Sequence, residues 1–174
     1  MYTMNSMNEI LAEVTTIAGE LSVKEVTARE SIVSVEASML NAVLELLKRK
    51  GFSHLSLITG VDRIKDGVFE VFYTLFRWET GETLLVKSSV SRDKPVITSV
   101  MHLWPTARFY ERDVHEFFGI VFDGNPDLKP LILENWKEMP PMRKDFDPQK
   151  YSNEHFPDRS YETEFLVEGG DENE

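Results

Sequence analysis

A chain of 174 residues, 41% hydrophobic and 28% charged, has the length and composition of one soluble globular domain with its own core. Its net charge of −11, from 30 acidic against 19 basic side chains, disfavours nucleic acid as a partner, because phosphate recognition needs a basic face. It has no cysteine, which excludes disulfides, thiolate metal sites and iron–sulfur ligation by this chain, so any redox cluster is expected on a partner.

Residues 7–19, MNEILAEVTTIAG, predict a short amphipathic helix with Ile10, Leu11, Val14 and Ile17 on one stripe, inside an N-terminal helical segment over 1–22. RESIVSVEA alternates and reads as a short strand. MLNAVLELLKRKG places Leu40, Val43, Leu44 and Leu47 at helical spacing, ends on Lys48, Arg49 and Lys50, and puts Gly51 where a left-handed cap belongs. HLSLITG reads as a strand with Leu55, Leu57 and Thr59 on one face, followed by a turn through VDRIKDG at Asp66-Gly67. Val68–Trp78 is β-branched and aromatic, with Phe69, Val71, Tyr73 and Leu75 on one side. Gly81 turns it into an antiparallel partner, TLLVKSSVS. A loop at 91–95 leads to a short element at VITSV. The fold class expected is α+β, a small mostly antiparallel sheet of three or four strands with packed helices over residues 1–124, followed by an extended docking tail over 125–174.

After Trp104-Pro105 the pattern changes. TARFYERDVHEFFG predicts a helix of about three turns, with Thr106 as N-cap, Gly119 as stop, and Phe109, Val114, Phe117 and Phe118 buried. Beyond Pro126 come five further prolines at 130, 140, 141, 148 and 157, so the chain runs extended without a hydrophobic rhythm and takes its order from a neighbour. From Asp145 onward there are ten acidic residues against two basic ones, and the closing GGDENE is expected to be mobile.

The stretch from Trp104 to Phe146 crowds aromatics, paired charges, prolines and glycines together with little neutral filler. That mixture suits an ordered surface that docks against another chain. Catalytic readings fare worse. Glu111 and His115 share a helix face and offer two ligands to an ion, but a metal enzyme needs a third ligand and a supporting shell; a helix-surface ion pair is the favoured reading. Glu111, Asp113 and Glu116 are interleaved with Arg108 and Arg112, which points to mutual neutralisation rather than acid–base work. No nucleophile elbow, dinucleotide fingerprint or phosphate loop occurs. Trp78 reads as packing, whereas Trp104 and Trp136, which border the dense segment, read equally as core or rim packing and as partner anchors. Arg143-Lys144-Asp145-Phe146 reads either as a solvated charge run or as an arginine clamp that holds a chain in register.

WPTARFYERDVHEFFGIVFDGNPDL, followed by PPMRKDF, resembles the signature of the thirty-kilodalton hydrophilic subunit family of respiratory complex I. The same subunit type occurs in membrane-bound nickel–iron hydrogenases and sulfur-reducing complexes. The family pattern is matched at Trp104, Pro105, Ala107, Tyr110, Glu111, Arg112, Glu116, Phe118, Gly119, Ile120, Phe122, Gly124, Pro126, Asp127, Leu128, Pro141, Arg143, Lys144, Asp145 and Phe146. It departs at Asp113 (longer acid in the family), Asn125 (histidine) and Lys129-Pro130 (paired basic residues). These departures lean toward the hydrogenase-like or ferredoxin-linked branch over the quinone-dependent one. The resemblance implies a scaffold subunit of an electron-transport complex that binds no cofactor itself. Its partners would be the iron–sulfur small subunit and the large catalytic subunit, which carry the clusters and any nickel–iron centre. It also implies a hetero-oligomer, with this chain peripheral on the cytoplasmic side of the cell membrane. The partner surface then comprises Trp104, Tyr110, Glu111, Arg112, Asp113, Glu116, Phe118, Asn125, Pro126, Trp136 and the run Arg143, Lys144, Asp145 and Phe146. With no apolar run near the roughly 18 residues of a membrane helix, and no signal peptide in MYTMNSMNEI, the chain itself is expected to be cytoplasmic and without a transmembrane segment.

Overall fold

The computed structural model describes residues 6–19 and 21–157; the expected mobility of GGDENE and most of the acidic excess lie outside them. Helix α1 (Met7–Ala18) starts at a capping box in which the Ser6 hydroxyl accepts from the Glu9 amide and the Glu9 carboxylate accepts from the Ser6 amide. Its stripe Ile10, Leu11 and Val14 is buried, against helix α2 (Leu40–Arg49). In α2 the leucine spacing does what it predicts: Leu40, Val43, Leu44 and Leu47 are all buried, and Gly51 closes the end with φ of 98°.

The sheet has five strands in the order β1 (Ser22–Thr27), β2 (Glu30–Ser34), β5 (Glu82–Ser91), β4 (Val68–Arg77), β3 (His54–Arg63). Three of its four pairings are antiparallel, and β2 runs parallel to β5. The expectation of three or four strands falls short because β1 has every residue exposed, at an outer edge, and so shows no alternation to read. In β4 the predicted face is the observed one: Phe69, Val71, Tyr73 and Leu75 form the centre of the core.

Strand β3 departs from its predicted alternation. The register with β4 shifts between Leu55 and Leu57, so Leu55 and Ile58 are buried and Leu57 faces out. The strand also runs on to Arg63 through the segment expected as a turn; a single 3-10 turn at Ile64–Asp66 and Gly67 makes the reversal. This extra length matters, because helix α3 (Ala107–Phe118) packs on β3. A Cβ on Gly60 would lie 2.9 Å from Phe118 Cδ2, so the missing side chain sets how closely helix and strand approach.

Two short parallel strands, β6 (Val96–Thr98) and β7 (Val121–Asp123), bracket α3 in sequence and pair Ile97 with Phe122. Within α3 the buried stripe is Ala107, Glu111, Val114 and Phe118. Phe109, expected in the core, lies off that stripe and is 54% exposed, and Phe117 is half-buried. Thr106 takes helical backbone angles and makes no capping hydrogen bond, whereas Gly119 adopts the left-handed stop with φ of 77°. A last helix, α4 (Pro148–His155), follows; the Asp147 side chain caps it by accepting from the Gln149 and Lys150 amides. Among the described residues no helix is long and apolar enough to cross a membrane.

Candidate functional site

The site is built on α3, which lies between the β6–β7 pair and the chain that returns from Gly124 to Asp147. Trp104 fixes its entry. The indole is buried, donates to the Ser53 carbonyl at 2.9 Å, and carries the Lys48 ammonium 5.5 Å from its centre. Lys48 also donates to the Leu103 carbonyl. The loop before α3 is thereby tied to the α2–β3 connection.

One turn into the helix, Glu111 is completely buried. Its carboxylate accepts from the Val100 amide at 2.8 Å, the Ser99 hydroxyl at 2.8 Å and the Asn125 side-chain amide at 2.9 Å. Burial pushes the carboxyl above its usual range, and these donors only partly offset it. Asn125 in turn donates to the Arg108 carbonyl and accepts from the Asp127 amide, so a single carboxylate orients the turn that starts the returning segment. The Tyr73 hydroxyl is also buried, without a hydrogen-bond partner among the described residues. Desolvation first, and the Glu111 charge second, push the phenol up.

The next tethers lie on the exposed side of α3. Arg108 and Arg112 both reach Asp127, with closest approaches of 2.7 Å and 3.5 Å, and Arg112 donates to the carbonyls of Lys129 and Pro130 at 3.2 Å each. The Glu116 carboxylate gathers three successive amides, Leu131 at 2.8 Å, Ile132 at 3.0 Å and Leu133. Burial pushes that carboxyl up, but the three amides and Arg112 outweigh it, and the net shift is downward. The Met142 amide donates to the Phe117 carbonyl at 3.1 Å.

The Arg-Lys-Asp-Phe run is held from below by a pair that sequence reasoning missed. Asp62 on β3, with a fully buried side chain, takes the Arg92 guanidinium in a fork at 2.8 and 3.0 Å and also accepts the Lys144 amide at 2.8 Å. Arg92 spans onward to Asp145 at 2.7 Å. Arg92 and Arg143 both lie over the Phe69 ring, at 5.3 and 5.1 Å. No local pattern signals Asp62, because its partners lie 30 and 82 residues away along the chain. Farther on, Trp136, Phe146 and Tyr151 form a mutual aromatic contact, with ring separations of 4.8 to 5.9 Å, that carries α4.

The expected partner residues therefore divide. Trp104, Glu111, Phe118 and Asn125 are buried inside this chain and shape its surface from beneath. Tyr110, Arg112, Asp113, Glu116, Trp136, Arg143 and Phe146 are half-buried, and Pro126, Lys144 and Asp145 are exposed. The neutralisation expected along α3 occurs instead between α3 and the returning segment, because Asp127 sits where both arginines reach it. Glu111 and His115 do not make the surface ion pair favoured by their spacing. The carboxylate is turned inward, and His115 Nδ1 donates to the Ile120 carbonyl at 2.8 Å. The two are thus not turned toward a common ion, and no group of three or more His, Asp or Glu that could hold a metal occurs among the described residues.

Residues 33–152 match the family of the respiratory-chain NADH dehydrogenase 30 Kd subunit. The chain belongs to this family. The matched span reaches from β2 through α3 and the returning segment into α4, so it contains every tether described above. Among relatives of this thirty-kilodalton subunit, the chain is 30% identical over 140 residues to an NADH-quinone oxidoreductase subunit of Moorella thermoacetica, covering 80% of this chain and 95% of that one. It is 37% identical over 150 residues to a longer NADH-quinone oxidoreductase subunit of Bacteroides thetaiotaomicron, covering 78% of this chain but only 28% of that protein. In structure it resembles a chain of the membrane-bound sulfane sulfur reductase, an archaeal respiratory membrane complex. The TM-score there is 0.79 and the identity 30%, over 96% of both chains.

Proposed function

We propose that this chain is an accessory subunit, itself without a cofactor, of a membrane-bound respiratory oxidoreductase related to complex I. In this reading it docks on an iron–sulfur small subunit and a large catalytic subunit of the peripheral arm, on the cytoplasmic side, and braces them. The observation that carries it is the use made of the charged groups around α3. Glu111, Arg112 and Glu116 are engaged in fixing the shape of the returning segment, as are Asp62 and Arg92 beneath it. Groups so engaged are poor candidates for proton transfer or metal binding and good ones for holding a surface in one form. Electron transfer between clusters depends on fixed separations, so a rigid chain beside their carrier has a use. Interfaces of standard size bury about 1,600 Å². The half-buried and exposed residues of α3, with Leu131, Ile132, Met139 and Met142 of the returning segment, offer apolar area for one.

The departures at Asp113, Asn125 and Lys129-Pro130 favour a hydrogenase-like or sulfur-reductase-like parent over an NADH- and quinone-dependent one. The test is affinity purification from native membranes, identification of the co-purifying chains, and assays for hydrogen evolution, polysulfide reduction and quinone reduction. Recovery with two larger redox subunits is expected. Isolation alone, or turnover by the lone chain, refutes the reading.

A further inference from the structure

Two guanidinium groups share the Phe69 ring, and their surroundings differ. Arg92 has Asp62 and Asp145 as partners, with three hydrogen bonds to their oxygens. Arg143, 5.1 Å from the same ring, makes no side-chain hydrogen bond among the described residues, and its Nε is shut off from solvent with no acceptor. Asp145 feels its charge, yet the Asp145 oxygen nearest a guanidinium is bonded to Arg92. The second Asp62 oxygen is shared between Arg92 and the Lys144 amide. Both carboxylates beside the ring are therefore engaged already, Asp62 by Arg92 and the Lys144 amide and Asp145 by Arg92.

Arg143 is also held still. The Met142 amide is bonded to Phe117, the Arg143 amide to Pro140, the Lys144 amide to Asp62, and the Asp145 side chain to Arg92. Gly119 lies beside it, where even a Cβ would stand in ordinary contact with an Arg143 terminal nitrogen, at 3.9 Å. A planar five-donor group on a ring, its backbone pinned on both sides and its residue still half-open to solvent, is preorganised for one more anion. Its terminal nitrogens, unlike the enclosed Nε, are not shut off from solvent and have no protein acceptor among the described residues, so they are the donors an anion can reach.

We propose that Arg143 receives a carboxylate from an adjacent subunit, an Asp or Glu side chain or a chain terminus, bound through the terminal guanidinium N–H groups. This rests on the reading of the chain as a docked subunit and names the charged contact at its centre. A neighbouring subunit is the committed source; the acidic residues 158–174 of this chain are the rival occupant.

The variant Arg143→Lys, in the native complex, places an amine where the guanidinium lies. Zero-length carbodiimide coupling followed by peptide mass spectrometry then identifies any carboxylate in contact with it. A link from residue 143 to an acidic residue of another subunit is expected. A link only to residues 158–174 overturns the proposal, as does an intact complex with no link at 143. Arg143→Gln is expected to lower recovery of the companion chains at raised salt by about tenfold or more, as loss of one partner of a desolvated charge pair does. Wild-type recovery after Arg143→Gln also overturns it, while the docked-subunit reading stands. A wild-type chain that co-purifies with nothing removes that reading and this proposal together.

Discussion

Replacing Glu111 by alanine removes the acceptor of three buried donors at once: the Val100 amide, the Ser99 hydroxyl and the Asn125 side-chain amide. A buried donor left without a partner costs about 1–3 kcal/mol. Ser99 counts least, since its hydroxyl can rotate and its oxygen already accepts from the Met101 amide. The backbone amide and the Asn125 amide cannot redirect so easily. Relief of the desolvated carboxylate offsets part of the loss, which leaves about 3 kcal/mol net against a total of about 5–15 kcal/mol for a domain. Urea unfolding of the isolated chain at neutral pH reads this directly, and a loss below about 1 kcal/mol would refute the reasoning. Glu111→Gln keeps one carbonyl oxygen and is expected to cost less, about 1–2 kcal/mol. Its pH behaviour separates the two effects. Burial raises the folded-state pKa of Glu111 above the ordinary value that the unfolded chain restores. The stability this contributes is full below the ordinary carboxylate value and is lost as pH rises through the raised one. Wild type therefore gains on Glu111→Gln as pH falls across that window.

Glu116→Gln withdraws charge from the three amides at 131–133, and hydrogen exchange at Leu131, Ile132 and Leu133 is expected to speed up by about tenfold while β4 amides stay protected; unchanged exchange there contradicts the tether. The same carboxyl is held below its usual range, so its hold is present above the ordinary carboxylate value and fades as pH falls through the depressed one, with the protection of those amides relative to their intrinsic exchange falling in parallel. Gly60→Ala forces a Cβ to 2.9 Å from the Phe118 ring and is expected to destabilise the chain by about 1–3 kcal/mol, measured by thermal unfolding; a neutral result means that α3 can shift on β3 freely.

Much of the body was legible because its signals are local. The α2 leucines, the β4 alternation and the Gly119 stop each follow from a period or a backbone angle that a few neighbouring residues reveal. What escaped depends on other parts of the chain. β1 has no buried phase, and the bulge in β3 is set by its pairing with β4. The aromatic character of Phe109 suggests the core, although a period anchored on Val114 and Phe118 leaves it outside and admits Glu111 instead. The dense segment was recognisable as ordered from its composition, but the roles of its charges were not. Glu111 looks like one more surface acid until Ser99, Val100 and Asn125 come within reach from elements 11 to 14 residues away. Asp62 meets Lys144 across 82 residues, a distance no spacing rule spans.

That last contact bears on how the chain does its work. Composition alone suggests that the proline-rich segment takes its order from a neighbour. Within the described residues it is instead tethered to its own body at Asp127, at Glu116 and at the Asp62–Arg92 pair. These tethers are polar and lie largely near the surface, while Leu131, Ile132, Met139 and Met142 stay exposed beside them. Polar anchoring fixes shape without using up apolar area, so that area remains for another chain to cover. A segment already ordered forfeits less conformational entropy on docking, and backbone ordering costs about 1–2 kcal/mol per residue when it has not been met in advance. Fixing roughly 20 residues beforehand is a large term on that scale, even when partial order in the free chain is allowed for. In the proposed docked state the acids and arginines of α3 act on a partner mainly through the backbone they position, and substitutions at the buried Glu111 are expected to weaken association without removing any contact across the interface.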